Sequence, residues 1–142
     1  MDFFEVKVKY YKETEDGINK MVSETYAIDA CSFTEAEARI TREIYPYTVG
    51  DFIVAAEKRA QYKEVVFHAG DLFFLVKYVL INLVDGKEHR SAMYVLFRAE
   101  TIDKAKEHAR DYMKGSVTDY EIESIKETKI IDVFMKDEPL AC

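Results

Sequence analysis

The chain has no tryptophan and, in 142 residues, only two cysteines, two prolines, five glycines and three histidines. Two cysteines, Cys31 and Cys142, are too few to predict a disulfide framework or a zinc ligand set. So little proline and glycine, beside 49% hydrophobic residues, excludes a disordered chain and predicts ordered elements around a core. No apolar run approaches the roughly 18 residues of a membrane helix. The first residues show none of the charged, apolar and small-residue regions of a signal peptide, so a cytoplasmic protein with no membrane partner is expected. Cations are outnumbered, with 20 Lys and Arg against 27 Asp and Glu and a net charge of −7. That balance disfavours nucleic acid, whose phosphates are bound by neutralisation, while leaving a local basic patch open. A glycine-rich phosphate loop, a serine elbow and a paired-histidine helix are also missing. We therefore expect no enzyme, no cofactor and no metal.

What is there is said almost twice. Phe3-Phe4-Glu5-Val6-Lys7 returns as Phe73-Phe74-Leu75-Val76-Lys77, Asp16-Gly17 as Asp85-Gly86, and Asp51-Phe52-Ile53-Val54 as Asp119-Tyr120-Glu121-Ile122. The offset drifts from 70 to 69 to 68 residues, with the pairs in the same order.

Each copy spells the same pieces. Phe4, Val6, Val8 and Tyr10 alternate with Phe3, Glu5, Lys7 and Lys9, the period of a half-buried strand. The Asp-Gly signal and a second strand over 22–30, with Tyr26 and Ile28 on one face, complete a hairpin. Ser32 with Glu35 three residues on predicts a reciprocally capped helix start. Phe33, Ala36, Ile40 and Ile44 then recur at helical spacing until Pro46. In the second copy Thr101 is the cap, Ile102, Ala105, Ala109 and Met113 the stripe, and Gly115 the end. Third strands follow from about Asp51 and Asp119, and Val65-Val66 and Val133-Phe134 either extend them or form short fourth strands. In the second copy Leu75, Val79 and Ile81 make the other face of the first strand apolar too. That strand either fills the centre of the sheet or carries a junction or partner surface, which leaves a homo-oligomer open.

Residues with chemistry to offer are few. His68, His89 and His108 fall in a linker, a hairpin and a helix; His108 with Glu107 and Asp111 makes only a partial metal set. Cys31 precedes a helix start, but no histidine base stands near it in the chain. Ten Tyr and nine Phe are a heavy aromatic load, and Tyr10, Tyr11, Tyr45, Tyr47 and Tyr62 gather in the first copy. These rings either cover sheet edges and the helix end or form a recognition surface, since tyrosine joins apolar area to a polar handle. Asp51 and Asp119 are either strand-entry turn residues or acceptors lining a cleft between the copies. Residues 136–142 read as a flexible polar tail.

Phe3 to Val8, Ser32 to Ile40, and Asp119 to Ile122 through Asp132-Val133-Phe134 resemble an uncharacterised family of domains of unknown function, of about this length, from gut anaerobes and their phages and mobile elements. The resemblance covers nearly the whole chain. It implies a small cytoplasmic protein, phage or mobile-element encoded, with no activity and no site residue to carry over.

The expectation is thus an α+β protein in which residues 1–135 form one globular unit. Two tandem β-β-α-β repeats, over about 3–66 and 73–134, are related by pseudo-two-fold symmetry and build a largely antiparallel sheet with helices packed on it. Its expected role is that of a non-enzymatic interaction or regulatory protein for a partner not identified. The alternative is a binder of a small, nucleotide-like ligand in the cleft between repeats.

Overall fold

The computed structural model describes residues 2–136. Strands β1 (Asp2–Glu13) and β2 (Asn19–Ala30) form the first hairpin, in register from Asp2 opposite Ala30 to Glu13 opposite Asn19. Its turn closes when the Gly17 N–H donates to Thr14 O at 2.9 Å. Gly17 has φ 74, a conformation that costs glycine nothing. Helix α1 (Phe33–Ile44) begins where Ser32 Oγ accepts from the Glu35 N–H at 3.1 Å. The return bond is displaced by one residue, because Glu35 Oε2 accepts from the Cys31 N–H, at 3.1 Å, rather than from Ser32. Ala36, Ile40 and Ile44 bury against Phe4, Val6, Val8, Tyr10 and Ile28, each isoleucine contributing about 1.5–3 kcal/mol. Phe33, nominally of the same stripe, lies at its exposed edge, against the Phe4 ring at 4.9 Å. Pro46 sits in a single 3-10 turn, Tyr45–Tyr47, and ends the helix because it has no N–H to continue the ladder. Strand β3 (Phe52–Arg59) then pairs antiparallel with β1.

After the short strand β4 (Glu64–Phe67) comes a second hairpin of β5 (Leu72–Val84) and β6 (Lys87–Ala99). Asp85 and Gly86 have φ 52 and 77, the paired positive values of a type I′ turn whose twist matches the flanking strands. Helix α2 (Ile102–Tyr112) is capped by Thr101, whose hydroxyl accepts from the Lys104 N–H at 3.2 Å. Strand β7 (Asp119–Glu127) pairs antiparallel with β5. The face of β5 bearing Leu75, Val79 and Ile81 is half-buried, whereas Lys7, Lys9 and Tyr11 on β1 are exposed.

The last strand among the described residues, β8 (Ile130–Phe134), corrects the expectation of one sheet. The protein is α+β, and its described residues form two four-stranded sheets, in the orders β3-β1-β2-β8 and β4-β6-β5-β7. β4 leaves β3 and pairs parallel with β6, and β8 leaves β7 and pairs parallel with β2. Each short strand completes the sheet to which its own predecessor does not belong. The chain accordingly divides into two compact units, one running to Gln61 and resuming at Lys129, the other Tyr62–Thr128. Those limits differ from 3–66 and 73–134 because the fourth strands change sheets. Lys136, assigned to the tail, is held: its N–H lies 3.2 Å from both Asp29 oxygens and its Nζ 3.1 Å from Glu35. The remainder of the expected tail, 137–142, lies outside the described residues. Among the described residues no helix is long and apolar enough to cross a membrane.

Candidate functional site

The structure disperses the seven residues singled out from the sequence. Tyr10 and Tyr62 are buried, at 2% and 1% exposure, while Tyr11, Tyr45 and Tyr47 are 40%, 62% and 70% exposed. Tyr62 belongs to the second unit and the other four tyrosines to the first. Tyr11 lies on the opposite face of β1 from Tyr10, as alternation along a strand requires. Asp51 and Asp119 are both exposed, one preceding β3 in the first unit and the other opening β7 in the second.

Tyr10 and Tyr47 do meet, in a cavity of about 290 Å³ in the first unit. Its buried wall is Tyr10, Tyr26 and Ile44; Phe134 and Ile131 of β8 add apolar surface. Tyr47 stands at the exposed margin, with Glu43, Asp132 and Lys12. The parallel pairing of β8 sets Asp132 opposite Tyr26, and the Phe134 ring stacks on Tyr26 with centroids 5.4 Å apart. Tyr26 projects inward from β2 two residues after Glu24, so a carboxylate lies on an otherwise apolar face. Glu24 Oε1 accepts from the Tyr26 hydroxyl at 3.0 Å and from the Tyr10 hydroxyl as well. Burial, reinforced by Glu24, pushes Tyr10 up to about 12. Tyr26 is raised further, again mainly by burial and then by the Glu24 charge. Both phenols therefore stay protonated at neutral pH, as fixed donors to Glu24 rather than bases or nucleophiles.

The corresponding interior of the second unit is filled by rings. Tyr78 lies 6.2 Å from Tyr112 and 6.0 Å from Tyr120, and Phe97 lies 5.6 Å from Tyr112. The Tyr78 hydroxyl donates to Ala109 O of α2 at 2.7 Å. A hollow of about 440 Å³ between α2 and β7 has Ile102, Ile122 and Ile125 as its apolar surface, with Lys106 and Arg110 on the helix and Glu123 on the strand. His68 and His108, remote in sequence, stack face to face with centroids 3.6 Å apart. Stacked rings direct their nitrogen lone pairs outward in parallel planes, not toward a shared ion. Among the described residues, no group of three or more His, Cys, Asp or Glu could hold a metal ion.

Sequence reasoning missed Glu24, Asp132 and the role of Phe134. Glu24 did leave a signal, a charge at an inward position between Val22 and Tyr26. Asp132 and Phe134 left none, because their place depends on which strand β8 joins. A family model described as a domain of unknown function (DUF4494) matches residues 2–136. No curated protein and no solved structure matches the chain.

Proposed function

We propose that this chain, which belongs to the DUF4494 family of domains of unknown function, is a non-enzymatic recognition protein that engages a protein partner through the tyrosine-lined pocket of its first unit. One observation carries the reading: Tyr47, 70% exposed, stands at the margin of a cavity whose buried wall is Tyr10 and Tyr26. An amphipathic ring with two torsions to fix loses little entropy on binding, and tyrosine is enriched in recognition surfaces for that reason. Tyr45, one residue before Pro46 in the same 3-10 turn, adds a second exposed ring held on a short, conformationally restricted segment. A volume of about 290 Å³ lies at the small end of ligand cavities, which run from about 300 to 1,000 Å³. It suits one inserted side chain better than an entire nucleotide.

The same reading includes an internal duplication, with one unit kept for recognition and the other filled for stability. Supporting it, the β1–β3 register shifts between Lys7 and Val8 and the β5–β7 register shifts between Lys77 and Tyr78, an offset of 70 residues, that of the sequence repeat. A β-β-α-β order also recurs, with a hydroxyl cap at Ser32 and at Thr101.

A peptide array presenting all twenty residue types, probed with the wild-type chain and with Tyr47→Ser, tests the proposal. Selective binding that disappears in the folded Tyr47→Ser variant is expected. Absence of selective binding, or binding unchanged by Tyr47→Ser, overturns it.

A further inference from the structure

We infer that the group taken by the first-unit pocket is a cation, the ammonium of a lysine side chain presented by a basic protein partner; this rests on the recognition reading above. Three features of the cavity converge on that chemistry. The first is the π surface: Tyr10, Tyr26, Tyr47 and Phe134 all line it, and an ammonium near the faces of such rings is attracted by their quadrupoles.

The second feature is the direction of the hydroxyl protons. Tyr10 and Tyr26 both donate to Glu24 Oε1. Their protons are thereby engaged, the two hydroxyls also interact with each other, and toward a guest a phenol oxygen can act only as an acceptor. Two buried tyrosines are converted into acceptors, which an ammonium with three N–H donors can use and a phosphate or carboxylate cannot.

Charge is the third. Glu43 and Asp132 line the cavity against the single cation Lys12, and Glu24 lies directly behind the two phenols. An anionic guest would meet the two carboxylates of the lining, with a third held against the phenol hydroxyls, and find one cation. At longer range the net charge of −7 attracts basic partners and speeds their encounter. The exposed Tyr45 and Tyr47 supply apolar surface for the backbone and neighbours of the inserted lysine, which a free amine would lack.

The test is an NMR titration of the full chain with Nα-acetyl-lysine methylamide and, in parallel, Nα-acetyl-norleucine methylamide, which keeps the alkyl stem without the charge. The lysine derivative is expected to shift the Tyr10, Tyr26 and Tyr47 ring resonances saturably, and the norleucine derivative to leave them in place. Glu43→Gln with Asp132→Asn, both exposed positions whose replacements keep size and hydrogen bonding, should weaken the lysine derivative about three- to tenfold. Salt should weaken it in the wild type as well. Equal response to norleucine, no ring shift with lysine, or indifference to the double substitution overturns the inference. Tyr47-dependent array binding confined to peptides without lysine would also overturn it while leaving the recognition reading in place; an array without Tyr47-dependent binding would remove the reading itself.

Discussion

His68 and His108 stack with their ring centroids 3.6 Å apart and their planes within 5° of parallel, and Phe97 lies 6.4 Å from His68. Burial lowers the His68 pKa, the charge of His108 lowers it further, and Asp111 opposes both. A histidine lowered in the folded state is protonated more readily when unfolded. Its contribution to stability is therefore complete above the unfolded value, about 6.5, and is lost as pH falls below it. Thermal unfolding at pH 7.5 and 5.5 should show a larger loss for the wild type than for His68→Phe, which keeps the stack and removes the titration. Identical losses would rule out a role for the pair in acid sensitivity.

Burial on the two first strands predicts unequal costs for two truncations. Phe74 is 1% exposed, packed with Ala99 and Ala105, and Phe74→Ala should cost about 3–5 kcal/mol. Lys7 is exposed on β1, and Lys7→Ala should stay within about 0.5 kcal/mol. Urea denaturation of both variants decides it, and similar midpoints would contradict the burial pattern.

Asp29 of β2 is a buried acceptor shared by two donors remote from it in the chain. At 2% exposure it accepts from Arg39 of α1 at 2.8 Å and from the Lys136 N–H just past β8. Asp29→Ala leaves a mostly buried guanidinium and a backbone donor without this partner, for an expected loss of about 3–5 kcal/mol. Asp29→Asn, which retains one oxygen, should lose less. Denaturant midpoints in the order wild type, Asn, Ala are predicted; Ala equal to wild type would refute the role.

Gly70 is required by space as well as by conformation. A Cβ there would lie 2.2 Å from the Ala99 carbonyl carbon, at φ 133, whereas one on Gly17 would meet nothing within 4 Å. Gly17→Ala should therefore cost about 1 kcal/mol, from its positive φ alone. Gly70→Ala should cost at least about 3 kcal/mol, because backbone rather than a flexible side chain must move. Differential scanning calorimetry of the two variants separates these costs, and equal shifts in Tm would contradict the close approach.

The amino-acid sequence determined by itself whatever depends on neighbours a few residues away. Alternation in Phe4 to Tyr10 wrote the first strand, Asp85-Gly86 the turn of the second hairpin, and Ser32 and Thr101 the helix starts, because strand faces, turns and caps are set by local periodicity and local hydrogen bonds. The tyrosines were legible as a set worth attention, and alternation put Tyr10 with the apolar face of β1; Tyr45, Tyr47 and Tyr62 lie outside any such period, so their exposure or burial was not legible. What the tertiary structure alone decided is where β4 and β8 go. Four or five residues of apolar strand carry no turn to fix a partner, and parallel pairing joins segments far apart in the chain. Pairing β8 with β2 placed Asp132 and Phe134 beside Tyr26 and so helped form the pocket. Similarly, the close approach of a linker histidine to one on α2 arose from long-range packing, which leaves no period in the sequence.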